Sequence, residues 1–339
     1  MAYTTIDDGS AHFHAQTYTG NGSSGHSITN NANAGDFKPD WLIIKPLSSG
    51  DNSVVFDSTR GSNKQLKANG NDAEDTHSPA RVTFETDGFD LDTTDGNYNG
   101  NGTSYVAWQW KCNGGTTSTN NDGSVAVTLQ TSSDAGFSIG TFTGAGNSSG
   151  TIGHGLSAKP DWLIVKRRDG AENWNNIFAN VDSKLLRLNT NGGSFTGSAI
   201  NSVGTSTFTD GNGDDAVFYA FKSIQGYSRF GEYVGNGNAD GTFIYLGFKP
   251  KFFLLKRFDA SQHWYIFDSA RSPFNPSNSA QQLSSSSAQE TGYPMDFLSN
   301  GFKIRHSDGA WNSNGQEYVY AAFAEHPFVS SKGVPATAR

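Results

Sequence analysis

The chain has 339 residues, 17% of them charged, and a formal net charge of −8. Glycine supplies 40 residues, and Asn, Ser, Thr and Asp fill much of the rest, a composition of tight turns between short strands. The densest basic run is Lys166-Arg167-Arg168, too little to neutralise phosphates, and Cys112 is alone, so a nucleic-acid partner, an intrachain disulfide and a Cys-based metal centre are excluded as expectations.

Residues 1–15 read as an N-terminal arm with neither a basic n-region nor an apolar core, which predicts no secretion signal. His12 and His14 alternate there with Phe13, the spacing of a weak surface metal pair that lacks further ligands. No apolar run along the chain approaches the roughly 20 residues of a membrane span, so membrane insertion is not expected.

A first β module is predicted over 16–112. It opens on the turn Tyr18-Thr-Gly-Asn-Gly22, continues through Phe37-Lys-Pro-Asp-Trp-Leu-Ile-Ile-Lys45, Val55-Phe-Asp-Ser58 with Arg60, Leu66 and Asp87-Gly-Phe-Asp-Leu91, and closes on Tyr105-Val-Ala-Trp-Gln-Trp110. Residues 113–135 form a linker or an inserted hairpin around Val125 to Leu129. The second module, 136–225, repeats the order with Phe142-Thr-Gly-Ala-Gly146, Ala158-Lys-Pro-Asp-Trp-Leu-Ile-Val-Lys166, Ile177-Phe178, Leu185 to Leu188 and Val217-Phe-Tyr-Ala-Phe221. The third, 226–328, has Tyr233-Val-Gly-Asn-Gly237, Phe248-Lys-Pro-Lys-Phe-Phe-Leu-Leu-Lys256, Ile266-Phe-Asp-Ser269 with Arg271, Leu283, Asn300-Gly-Phe-Lys-Ile304 and Tyr318-Val-Tyr-Ala-Ala-Phe323. Residues 329–339 are a tail, and both terminal segments are expected to order only on a partner.

The interval from Pro to the closing Lys is six residues in every copy, which makes internal repetition the governing feature. The predicted fold class is all-β: tandem antiparallel β-sandwich modules, jelly-roll or lectin-like. Helical periodicity is missing apart from one turn's worth at Ser284 to Glu290. The Trp-Leu-Ile-Ile run is continuously apolar where a sandwich strand normally alternates. It is therefore expected to be central and covered on its second face by a long loop or a neighbouring module.

Lys45, Lys166 and Lys256 read as cationic gatekeepers that end an aggregation-prone strand, with a shared ligand contact as the alternative. Asp57/Arg60 and Asp268/Arg271 suit turns closed by an ion pair, and the middle copy has Asn180 and Ser183 near these places instead. Asp210 to Asp215 and Asp92 to Gly102 are rich in oxygen ligands but lack the EF-hand Gly and Glu, so hairpin turns are preferred over calcium sites. No catalytic, cofactor or metal residue is nominated, and an enzyme is not expected. Trp174, Trp264 and Trp311 lie beside polar loops and form the candidate glycan-binding platform.

The runs Tyr233 to Gly241, Gly247 to Pro250, Trp264 to Arg271, Asp296 to Phe302 and Tyr318 to Glu325 resemble a repeated β module of virion structural proteins in marine and cyanobacterial tailed phages. The resemblance covers the second and third copies well; in the first, Trp108 to Lys111 departs from the Phe-Ala-Glu ending. It implies a non-enzymatic tail-fibre, appendage or capsid-surface component, made in the host cytoplasm, released by lysis and localised to the virion. The implied partners are copies of itself in a homo-oligomer and other virion proteins of capsid or tail. A receptor-recognition protein that binds a host surface glycan is the alternative, and a polysaccharide-cleaving enzyme a weaker one.

Overall fold

The computed structural model describes residues 3–31, 36–48, 50–146, 149–179, 181, 184–197, 200–210 and 213–335. Every named strand pairing in it is antiparallel, and the one helical element is a 3-10 turn at Gly9–Ala11 capped by Asp8. The chain is all-β. Ser284 to Glu290 is an irregular turn whose serines engage backbone amides: Ser285 Oγ accepts locally from the Ser287 amide at 3.0 Å, and Ser284 Oγ accepts from the Trp264 amide across the sheet at 3.2 Å.

One strand order recurs three times. In the first module a sheet runs Phe13–Thr19, Ser104–Trp110, Trp41–Pro46, Val54–Asp57, Lys64–Lys67 and Asp75–Thr76. In the second the same places are held by Phe137–Thr143, Asp215–Phe221, Trp162–Arg167, Asn175–Phe178 and Leu186–Arg187. In the third they are held by Ser228–Val234, Glu317–Pro327, Phe248–Arg257, Tyr265–Asp268 and Ser277–Gln282. A smaller sheet lies over each: His26–Thr29, Gly88–Leu91 and Val82–Glu85 in the first; Thr151–Gly153 and Thr207–Thr209 in the second; and in the third Phe243–Tyr245, Gly301–Ile304 and Glu290–Leu298, which continue the main sheet.

The continuously apolar strand is buried on both faces. Leu42 and Ile44 join Val54, Phe56 and Phe89 in the core of the first sandwich, and Leu163 and Val165 do the same in the second. The alternate residues Trp41, Ile43, Trp162 and Ile164 instead enter one core shared by all three modules. Neighbouring modules thus supply the second cover, the outcome that an unalternated strand requires.

At the centre of that shared core stand the last aromatics of the three long strands. Trp110, Phe221 and Phe323 are equivalent by register, opposite Trp41, Trp162 and Phe252. Phe221 lies 5.8 Å and Trp110 5.5 Å from Phe323, with Trp41 4.6 Å from Tyr219 and Phe13 5.3 Å from Phe323. Offset and edge-to-face contacts of this kind favour a fixed packing over a fluid one.

The segment 113–135 is an inserted hairpin. Ser118–Asn120 and Val127–Ser132 pair with each other, and the latter adds to the edge of the second sheet beside Phe137–Thr143. Asp40 anchors the entry to this segment, accepting from the amides of Cys112 at 2.6 Å and Gly114 at 2.8 Å. Asp161 does the same for the next crossing through Ser223 at 2.6 Å. The third copy has Lys251 in this place.

The described part of the N-terminal segment packs where the second and third modules meet, contrary to the expectation of a partner-ordered arm, and the tail meets that segment at Ser331. Ile6 is buried, Tyr3 donates to Gly247 O at 2.7 Å, Thr4 donates to Gln225 O at 2.7 Å, and Ser331 bonds Asp7. Strand structure begins at Phe13, so the first module takes in part of the predicted arm.

Candidate functional site

Each module reaches into its neighbour in the same rotational sense, through two positions at every junction and a third at two of them. Lys45, Lys166 and Lys256 hold one register, opposite Val106, Val217 and Val319, and all three are fully buried. Lys166 Nζ donates to Asn71 O of the first module at 3.4 Å, Lys256 Nζ to Asn191 O of the second at 3.3 Å, and Lys45 Nζ to Ser285 O of the third at 3.0 Å. Their remaining donors meet local carbonyls of Arg167, Arg257, Ala260 and Asp51. The gatekeeper expectation is overturned, since a solvated charge would not lie at zero exposure. Burial lowers each ammonium to a pKa of about 8.

The second position is the residue that precedes the fourth strand. Trp174 Nε1 donates to Lys67 O of the first module at 2.8 Å, and Trp264 Nε1 to Arg187 O of the second at 2.9 Å. The first module has Ser53 here, whose Oγ reaches Leu283 O of the third at 3.4 Å. Both indoles are fully buried between modules. Trp311 is also fully buried, inside the third sandwich against Tyr265 and Tyr293 at 4.6 Å each. The predicted glycan platform is therefore corrected: the three rings share no surface, and Trp174 and Trp264, though next to polar loops in sequence, are themselves covered by the adjacent module.

The third position is a buried acid–base pair that receives an aromatic donor. Asp57 and Arg60 pair at 2.5 Å with both side chains fully buried, and Tyr219 of the second module donates to Asp57 Oδ2 at 2.6 Å. Asp268 and Arg271 pair at 2.6 Å, and Trp108 Nε1 of the first module donates to Asp268 Oδ2 at 3.0 Å. Register places Phe178 where these aspartates sit, opposite Trp162 as Asp57 is opposite Trp41 and Asp268 opposite Phe252. Three residues on, buried Val181 replaces the arginine, and the donor position two before the last aromatic is Ala321. The third junction has exchanged all three polar groups for apolar ones together. Asn180 and Ser183, which mark the missing pair in the sequence, lie outside the described residues; the corresponding places are Phe178 and Val181.

Around Arg60 the network widens to Glu74, which accepts from Arg60 at 3.0 Å and from Arg168 of the second module at 2.9 and 3.0 Å. Burial acts to raise the Glu74 pKa, but the hydrogen bonds and charges of Arg168 and Arg60 outweigh it and hold the carboxyl below its ordinary range.

The oxygen-rich turns are engaged internally. Asp95 accepts from Asn97 at 2.9 Å and from Arg81 at 2.6 Å, and Asp92 from Thr83 at 3.1 Å. Buried Asn99 clamps the first Gly-Asn-Gly turn by donating to Asn21, Ser23 and Thr93, and Asn312 clamps the third through Asn236, Asn238 and His306. In the other acidic turn Gly211 and Asn212 lie outside the described residues, while Asp214 pairs with Arg167 at 3.1 Å. His12 ends the 3-10 turn and faces Tyr227, whereas His14 is buried near Phe37 with its pKa lowered to about 4 by burial, so the two do not converge. Among the described residues no group of three or more His, Cys, Asp and Glu could hold a metal ion.

Sequence reasoning missed Tyr219 and Trp108 as donors. The available signal was their shared position two residues before the last strand's final aromatic, which acquires meaning only once the order of modules around the ring is known. Chemically, the assembled groups are inward-facing, hydrogen-bonded staples that close three modules into a pseudo-threefold ring within one chain.

Residues 8–327 match the model of a family described as a domain of unknown function (DUF7483). That span takes in all three modules. No curated protein and no solved structure matches the chain.

Proposed function

We propose that this chain, which belongs to the DUF7483 family, is a non-enzymatic structural protein of a phage virion, a tail-fibre, appendage or capsid-surface component. The observation that carries the reading is the closed ring. Lys45, Lys166 and Lys256, the most regular polar side chains of the repeat, each join their own module to the next instead of converging on a reaction site. A rigid body with threefold pseudosymmetry and module-specific outer loops suits a part that is built into a larger symmetric assembly. The resemblance of Tyr233 to Gly241 and of Tyr318 to Glu325 to phage virion modules points the same way.

In this reading the chain is made in the host cytoplasm, is incorporated into the particle and contacts capsid or tail proteins, with further copies of itself as additional partners. Purified particles probed with an antibody against the chain and imaged by cryo-electron microscopy test it. The expected result is stoichiometric copurification and density for the three-module ring at a fixed particle position. Absence from purified particles contradicts the proposal, and saturable attachment to host cells competed by sugar, with no particle density, favours the receptor-binding alternative.

A further inference from the structure

The chain crosses from the first module to the second and from the second to the third at equivalent places, and the two crossings are finished differently. At the first, Asp40 uses both carboxylate oxygens: Oδ2 accepts from the amides of Cys112 and Gly114, and Oδ1 accepts from Ser58 Oγ at 2.6 Å. The inserted hairpin then fills the space beside Ile139 with the buried side chain of Gln130. The Gln130 amide donates to Ser58 and Thr59 at 2.9 and 2.8 Å and accepts from Gly115 at 3.0 Å.

Residues 222–227 alone make the second crossing. Asp161 Oδ2 accepts from the Ser223 amide, but Ala179 stands where Ser58 stands in the first module, so Oδ1 has no partner among the described residues. Beside Phe230, the register counterpart of Ile139, lies a basin of about 490 Å³ lined among others by Tyr3, Asp161, Ser223, Gln225, Arg229 and Tyr245. That volume falls in the range of about 300 to 1,000 Å³ usual for small-molecule sites. The backbone around it is already engaged. Ile224 bridges Ser228, Ser223 Oγ accepts from the Phe230 amide at 3.3 Å, Thr242 donates to Val234 O at 2.9 Å and Tyr3 to Gly247 O at 2.7 Å. Side chains are therefore what the basin offers a ligand.

Three of those side chains have no equivalent in the other modules. Arg229 is exposed and forms no ion pair among the described residues, whereas its counterparts His14 and Ser138 are buried. Tyr245 is 47% exposed, with its hydroxyl 3.5 Å from that of Tyr3, and Phe243 on the same strand face is 42% exposed. These two rings replace Thr29 and Ser27 of the first module and Gly153 and Thr151 of the second. We propose that the basin binds a carboxylate-bearing sugar, with Arg229 taking the carboxylate, Asp161 Oδ1 accepting from a ring hydroxyl and Tyr245 packing on the C–H face. A guanidinium fork matches a carboxylate in two parallel hydrogen bonds, and an aromatic ring with a polar tip suits a ligand that is apolar on one face and hydroxylated at its rim. A neutral sugar leaves Arg229 unmatched, and an acyclic amino acid leaves the rings uncovered. Gln130 shows the polar character of the equivalent space, which the first crossing fills with an amide that both donates and accepts. The inference concerns this basin alone and stands whether or not the chain is a virion component.

The probes are the methyl glycosides of glucuronic acid and N-acetylneuraminic acid, with methyl glucoside as the neutral match and glutamate as the acyclic acid, titrated against the full chain by ligand-observed NMR. At least one acidic glycoside should bind saturably with a Kd of about 1 mM or tighter, and methyl glucoside and glutamate about tenfold or more weakly. Arg229→Gln should weaken the acidic glycoside about tenfold and abolish its advantage over methyl glucoside. Tyr245→Ala should weaken both sugars. Both side chains are exposed, so the two variants should keep the parent's denaturation midpoint, which separates lost recognition from lost folding. Four results overturn the proposal: no saturable binding of either acidic glycoside, equal affinity for methyl glucoside, glutamate binding as tightly as the sugar, or binding indifferent to Arg229→Gln or to Tyr245→Ala.

Discussion

The junction between the first and second modules and the junction between the second and third place different chemistry on the same backbone positions. The former is polar at its centre: Asp57 and Arg60 are buried together, and Tyr219 enters from the neighbour to donate to the carboxylate. The latter has Phe178, Val181 and Ala321 in those places, with Trp162 stacked 5.5 Å from Phe178 and 5.9 Å from Phe230. A buried ion pair and a well-packed apolar cluster are close in net stability, but a half-removed ion pair is not, so the three positions can only change as a set. That coupling explains why the middle copy lost its acid and its base together.

The largest effect should come from the apolar junction. Trp162→Ala removes a ring in contact with Phe178, Phe221 and Phe230 and should cost about 3 to 5 kcal/mol in chemical denaturation. A loss under about 1 kcal/mol would show that the shared core contributes little.

Next comes the polar junction. Asp57→Ala leaves a buried arginine with Glu74 as its remaining carboxylate partner and should cost about 3 kcal/mol. The triple change Asp57→Phe, Arg60→Val and Tyr219→Ala copies the other junction and should cost less than half of that, about 1.5 kcal/mol or less. Equal losses in the single and triple variants would break the comparison.

The indole staples occur at both junctions and should behave alike. Trp174→Phe and Trp264→Phe each remove one of two donors to a carbonyl, of Lys67 (which also accepts from the Gly70 amide at 3.2 Å) or of Arg187 (which also accepts from the Thr190 amide at 3.4 Å), at a cost of about 0.5 to 1.5 kcal/mol. An effect at one site only would mean that the repeated geometry is not energetically repeated.

An effect of pH is the smallest near neutrality, where the three buried lysines stay protonated, and grows only in alkali. Burial sets Lys45, Lys166 and Lys256 at a pKa of about 8 against an ordinary 10.5. Below pH 8 these lysines are protonated in both states and the burial penalty is present in full; above it the unfolded chain binds more protons than the folded one. Their contribution to stability therefore rises with pH from about 8 toward 10.5. Denaturation midpoints compared between the protein and a variant with all three lysines changed to Met should diverge in slope across that window, and parallel slopes would contradict it. Tyrosine titration is common to both proteins and cancels.

Most of the framework was legible in the chain. The Pro-to-Lys interval marked the central strand, and its unbroken apolar run signalled a second buried face, because alternation fails only when both sides of a strand are covered. The partner on that face was not legible. Trp174 and Trp264 sit next to polar residues in sequence and look exposed until a neighbouring module covers them. Lys45, Lys166 and Lys256 look like solvated strand ends for the same reason. Asn180 and Ser183 misplace the missing ion pair because strand register, not distance from the preceding Lys, decides which residue faces Trp162.

One core shared by three modules is tested most directly by hydrogen exchange on the Trp162→Ala variant. The strands Ser104–Trp110, Asp215–Phe221 and Glu317–Pro327 belong to different modules yet converge on Trp110, Phe221 and Phe323. The expected result is that a substitution in the second module lowers the protection of all three strands by the same free energy. Loss confined to Asp215–Phe221, with the other two strands unchanged, would contradict a common core and leave three independent sandwiches in series.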